Sequence, residues 1–125
     1  MTVVWIVKAV KKWCEEHGDL DCYDEASRRF GRWIHSASYG SCFELSERVE
    51  KYLGPRGDPI VLLKFFCGAI ETELEYDEQT YRLLKDALRH LAETSEETII
   101  RSHAKALIEL ITVAESLKSG IMCSG

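Results

Sequence analysis

The chain contains no Asn, and Gln79 is its only Gln. Loss of these thermolabile amides, in a sequence with 30% charged residues, is a mark of adaptation to high temperature. Proline is nearly as scarce. Pro55 and Pro59 both fall in Gly54-Pro55-Arg56-Gly57-Asp58-Pro59, which marks one loop near the middle of the chain. Long apolar runs are missing too. Val3 to Val7 and Ile60 to Leu63 are far too short to cross a bilayer, and the start carries no signal-peptide pattern. These absences lead to the expectation of a soluble, cytoplasmic chain with no membrane contact.

What is present narrows the reading further. At 125 residues, 46% of them hydrophobic, the chain has material for one cored domain spanning 1–125, with no metal or cofactor needed to fold it. The five cysteines, Cys14, Cys22, Cys42, Cys67 and Cys123, are unusual for a cytoplasmic protein unless some are paired. Intracellular disulfides do occur in hyperthermophiles. Together with the missing amides they point to a thermophilic archaeon or a virus infecting one. The net charge of −5 is uneven: ten acids face ten Lys and Arg up to Ile70, and eleven face six beyond it. An acidic total argues against general binding of a phosphate backbone but leaves room for one basic face.

Hydrophobic periodicity predicts an all-α bundle of five or six helices. Val3, Ile6, Val7, Val10, Cys14 and His17 recur at helical spacing, so a first helix is expected over Thr2 to His17, stopped by Gly18. A second, beginning near Asp21 or Asp24, would carry Tyr23, Ala26, Phe30, Ile34 and Ala37 on one face. Ser41-Cys42-Phe43-Glu44 matches a capping box, placing a third helix from there to Gly54. Asp58-Pro59 reads as an N-cap followed by Pro at the first helical position. The stretch after it is apolar on nearly every side, which predicts a buried central helix at about 59–75. A fifth helix is expected around Tyr81, Leu84, Leu88 and Leu91. The sixth, capped by Thr94-Ser95-Glu96-Glu97, would run through Ile100, His103, Leu107, Ile111, Ala114 and Leu117 to near Gly120. No strand is expected.

Four groups of side chains have chemistry to offer. Cys14, His17 and Cys22 sit close enough to share a zinc ion, with Cys42 or His35 as a fourth ligand, and the alternative is a disulfide or core packing. Lys8, Lys11 and Lys12 on the first helix and Arg28, Arg29 and Arg32 on the second would line one basic surface if those helices pack antiparallel. Trp5, Trp13 and Trp33 are available there for stacking, or as anchors of a protein interface. Glu44-x-x-Glu47 and Glu75-x-x-Glu78 resemble the carboxylate pairs of MazG-like nucleotide pyrophosphatases, which implies Mg²⁺ binding; Glu44 has a competing role as a cap.

Arg29 and His35, five residues between them, resemble the Arg-x(4–6)-His motif of HEPN-type ribonucleases. That resemblance implies an all-helical dimer cleaving RNA without metal, with His35 moving a proton and Arg29 stabilising the phosphate. The competing account is a solvated Arg face with His35 closing a helix. Since no nucleophile, base and orienter stand together, the sequence favours a non-catalytic helical module that assembles with a protein partner or with itself. A nucleic-acid-binding subunit or a HEPN-like ribonuclease is the alternative.

Overall fold

A computed structural model of the chain describes residues 2–17, 22–66 and 71–125. Its architecture corrects the all-α bundle: the fold is α+β, a four-stranded antiparallel sheet packed with six α-helices among the described residues. The order is β1 (Thr2–Val7), α1 (Lys8–His17), α2 (Cys22–Phe30), β2 (Ile34–Ser38), α3 (Tyr39–Leu53), a 3-10 turn (Gly54–Arg56), α4 (Pro59–Phe65), β3 (Thr72–Leu74), α5 (Glu78–Thr94), α6 (Thr98–Ser116) and β4 (Ile121–Ser124). In the sheet the strands lie β2-β1-β4-β3.

The first expected helix is therefore half strand. Val3 to Val7 are apolar at every position, so helical and strand periods fit the residues equally, and β-branched Val and Ile decide for the strand. Pairing fixes the register: Trp5 lies opposite His35 of β2 and Cys123 of β4. Alternation then puts Val3, Trp5 and Val7 on the buried face with Ala37, Leu74, Ile121 and Cys123. Val4, Ile6, Ile34 and Met122 stand half-buried on the other face.

The second expected helix ends early for a local reason. Gly31 takes φ +95°, a conformation that stops α2 at Phe30 and sends the chain into β2, so Ile34 and Ala37 are strand residues. A Cβ at Gly31 would also meet Val113 Cγ2 at 3.3 Å. Helix α3 starts before the expected capping box. Ser38 is its N-cap, accepting a hydrogen bond from the Ser41 amide at 3.2 Å. Glu44 is bonded instead to Arg48 at 2.8 Å.

Nor is there a buried central helix over 59–75. The Asp58-Pro59 start stands, with Asp58 Oδ1 accepting from the Ile60 amide at 2.9 Å, but α4 has only seven residues. It buries Leu62 and Phe65 while Ile60 and Leu63 face outward. Thr72 to Leu74 belong to β3. Helix α5 runs through Thr94, and Glu97 occupies the N-cap position of α6 without a side-chain cap bond, so the second expected capping box is absent as well.

The stretch after α6 is a sheet strand joined firmly to the N-terminal half. Helix α1 begins as the chain leaves β1, and its first-turn amides are satisfied from far away: Lys8 donates to the Gly120 carbonyl at 3.0 Å and Ala9 to Ser119 Oγ at 2.8 Å. The buried Tyr81 hydroxyl donates to the Ser119 carbonyl at 2.7 Å, and burial raises its pKa well above the ordinary phenol value. On the buried face of the sheet α6 and α3 pack against β1 and β2, α4 packs against β3 and β4, and α5 lies against α6 and α3.

Trp5 is at the centre of this core. It is fully buried, and its indole N–H donates to the Phe65 carbonyl at 2.6 Å. Replacing Trp5 with Phe keeps an aromatic ring but strands that carbonyl and leaves a void. A loss of about 2–4 kcal/mol of stability is expected, measured by urea unfolding. An unchanged midpoint would mean that the bond contributes nothing.

Candidate functional site

The sheet brings together two histidines that the sequence places 68 residues apart. His35 Nε2 and His103 Nδ1 lie 2.8 Å from one another, His35 on β2 and His103 on α6. His35 also stacks on Trp5, with ring centroids 6.0 Å apart and planes inclined by 22°. Burial pushes the His35 pKa down to about 4, with further lowering from His103 and Arg32 that Glu109 partly offsets. Burial lowers His103 as well. One imidazole donates to the other, and both are neutral at pH 7. An imidazole held so low is a poor proton acceptor near neutrality. The pair thus has the character of a fixed polar link between sheet and helix.

Arg29 is not part of it. Its guanidinium lies 5.6 Å from the ring centres of Trp13 and Phe30, on α2, and the non-helical Gly31–Trp33 separates that helix from His35. The two residues of the HEPN-like motif do not share a helix. The arginine whose charge His35 senses is Arg32, ion-paired through Nε with Glu109 at 2.8 Å.

Helices α1 and α2 do pack together, as the basic-surface reading requires. Three of their cations, however, have local acceptors. Lys8 meets Glu73 at 2.7 Å, Lys11 reaches Glu15 at 4.0 Å, and Arg28 Nε donates to the Asp24 carbonyl at 3.4 Å. Lys12 stands exposed. Among the tryptophans, Trp5 is enclosed, and Trp33, 7% exposed, donates to Ser27 Oγ at 3.1 Å. Both belong to the chain's own core and offer little to a partner. Trp13 is half-buried and stacks on His17 at 4.1 Å.

The proposed zinc ligands are otherwise engaged. Cys14 and Cys22 form a disulfide that ties α1 to α2, and His17 Nδ1 lies 2.8 Å from the Trp13 carbonyl. Cys42 and Cys123 are buried, the latter within β4, and Cys67 lies outside the described residues. The acidic pairs fare similarly. Glu44 shares Arg48 with Glu97, while Glu75 lies between β3 and α5 and Glu78 pairs with Arg82 within α5.

Two features were not read from the sequence. Strand β2 forms an edge of the sheet, beside a hollow of about 350 Å³ lined in part by Tyr23, Arg32, Ile34 and Ser36. The second is a groove between α3 and α4, bordered by exposed apolar side chains. The available signals were Gly31 ahead of an Ile-His-Ser-Ala-Ser run, and the apolar stretch after Pro59, broken only by Lys64.

The histidine pair generates a pH dependence of definite sign. The folded chain holds fewer protons than the unfolded one between the ordinary histidine pKa of 6.5 and about 4. Stability from this pair is complete above pH 6.5, drains as pH falls through that window and levels off below it. Discounted for solvent at a half-exposed ring, the loss is about 1–2 kcal/mol. Urea midpoints measured from pH 7.5 to 4 should show it, and His35→Phe should remove much of the difference. A parallel pH profile for the variant would contradict the assignment. Reduction of the disulfide, whose cysteines are eight residues apart, should cost about 2–3 kcal/mol through loop entropy. Urea unfolding with and without reductant measures it. Comparison of the chain with protein-family models, curated proteins and solved structures yields no match, so geometry alone carries the inference of function.

Proposed function

We propose that this chain is a non-catalytic assembly module that pairs with a second copy of itself along β2. The observation that carries this reading is the contrast between the two sheet edges. Exposed edge strands offer unpaired N–H and C=O groups, and proteins that must stay monomeric blunt them with charge, Pro, bulges or brevity. Edge strand β3 is blunted: it has three residues, one of them Glu73. Strand β2 is longer, and Ile34-His35-Ser36-Ala37-Ser38 contains no Asp, Glu, Lys, Arg, Pro or Gly. Its one titratable residue, His35, is neutral at pH 7.

Self-pairing also suits the side chains. Antiparallel pairing of two β2 strands about Ser36 sets Ile34 against Ser38 and His35 against Ala37, with no like charges opposed. Such pairing would make one eight-stranded sheet from two copies. The exposed Tyr23 and the hollow beside β2 supply contact area next to the backbone bonds. The nucleic-acid alternative draws less support, because Lys8, Lys11 and Arg32 are matched by carboxylates and Arg29 sits over Trp13.

Sedimentation of the purified protein over a broad concentration range tests the proposal. A dimer is expected. Ser36→Lys, at an exposed residue on the symmetry axis, would place a lysine against its own copy and should weaken the dimer at least about tenfold while leaving the circular dichroism unchanged. A monomeric wild type at high concentration, or a dimer indifferent to Ser36→Lys, would rule out pairing along β2.

A further inference from the structure

Helices α3 and α4 flank the 3-10 turn at Gly54–Arg56, yet they pack chiefly on other elements. Helix α3 lies chiefly against α5 and α6, and α4 against β3 and β4. The space left between them is a groove of about 300 Å³, floored by Leu62 and Phe66. Ser46 and Glu50 stand on its α3 side and Leu63 on its α4 side.

The borders of this groove are unusually apolar for a surface. Leu63 is 68% exposed and Ile60 63%, one turn apart on α4. Phe43, 65% exposed, shares a face of α3 with Ser46 and Glu50. A lone exposed apolar residue needs no explanation, but Leu63 on the wall of an apolar-floored groove, with Ile60 one turn before it on α4 and Phe43 one turn before Ser46 on α3, marks a binding surface.

We infer that the α3–α4 groove docks an amphipathic helix of a partner protein, apolar on one face and basic along the flank that meets α3. Two observations select this occupant. The groove is walled by helices whose backbone groups are already bonded, so an extended peptide would find no ladder to join. A helix arrives with its own backbone satisfied. The α3 wall, in addition, carries Glu47 and Glu50, neither in an ion pair among the described residues, whereas Glu44 is matched by Arg48. Lys51 lies beside them. From Phe43 to Gly54 the wall is about 16 Å long, room for roughly three turns of helix. A second copy is a poor candidate, because the apolar residues of its own lysine-bearing helix, Val10, Trp13 and Cys14, are packed within its fold.

The test uses the full chain and three designed 14-residue helical peptides. One carries Leu and Phe on one face with Arg and Lys on a flank, the second has that flank changed to Glu, and the third has the apolar face scrambled. Binding is read by fluorescence anisotropy and its location by amide chemical-shift mapping. The first peptide should bind saturably and shift amides of residues 43–66, and the other two at least tenfold more weakly. Leu63→Glu and Phe43→Ser, both at exposed positions, should each reduce binding tenfold or more with the fold unchanged. The double variant Glu47→Lys/Glu50→Lys should exchange the preference of the first two peptides. No saturable binding, shifts centred elsewhere, or equal affinity for basic and acidic peptides would overturn the inference. So would a change in sedimentation with Leu63→Glu, which would make the groove a contact between copies. None of these outcomes depends on whether β2 pairs.

Discussion

The fold depends most on one indole. Trp5 stands on a central strand, facing His35 on one side and Cys123 on the other, and its N–H reaches out of the sheet to the carbonyl at the end of α4. Four elements meet at that side chain: β1, β2, β4 and α4. Phe65 and Phe66 lie around it at 6.2 and 6.4 Å between ring centres. A helix of seven residues is far too short to be stable alone. Its last turn is held in place by this bond and by the burial of Leu62 and Phe65, which leaves its outer face free of structural duty.

That freedom underlies both surfaces considered above. Because α4 is anchored through its inner residues and the backbone at its end, Ile60 and Leu63 can face water without weakening the core. At the opposite edge of the sheet, His35 is neutralised by burial and its neighbours, so β2 lacks the charge that shields a sheet edge. Each feature follows from the way the core is closed. On α1, in contrast, Lys8 and Lys11 meet carboxylates within the chain, and Arg32 after α2 does the same, which reduces the field available to a polyanion.

Much of the helical part was legible. Helices α5 and α6 show clean stripes with polar residues opposite, and Asp58-Pro59 marked the start of α4 correctly. The strands were not legible, for different reasons in each case. In β1 the half-buried second face is also apolar, so the period of two vanished into a run that fits a helix as well. Strand β2 continues the helical spacing of α2 by coincidence, and only Gly31 signals the break. Strand β4 is made of Ile, Met, Cys and Ser, and its burial comes from position in the sheet rather than from composition. The candidate site suffered most from this. The partner of His35 in the fold is His103, and contact between β2 and α6 is a tertiary fact that no local pattern encodes.

The sheet order has a consequence for how the protein is made. Strand β1 is translated well before β4, at Ile121–Ser124, which is one of its two neighbours in the sheet. Until residue 124 has been synthesised the sheet cannot close, and α1 lacks the partners at Ser119 and Gly120 that hold its first turn. Throughout that interval the nascent chain carries Val3 to Val7 as an unsealed apolar strand. Contacts spanning so much of the sequence also make folding slow. The segment most in need of protection by the cell's chaperones is thus β1, made more than a hundred residues before the strand that seals it.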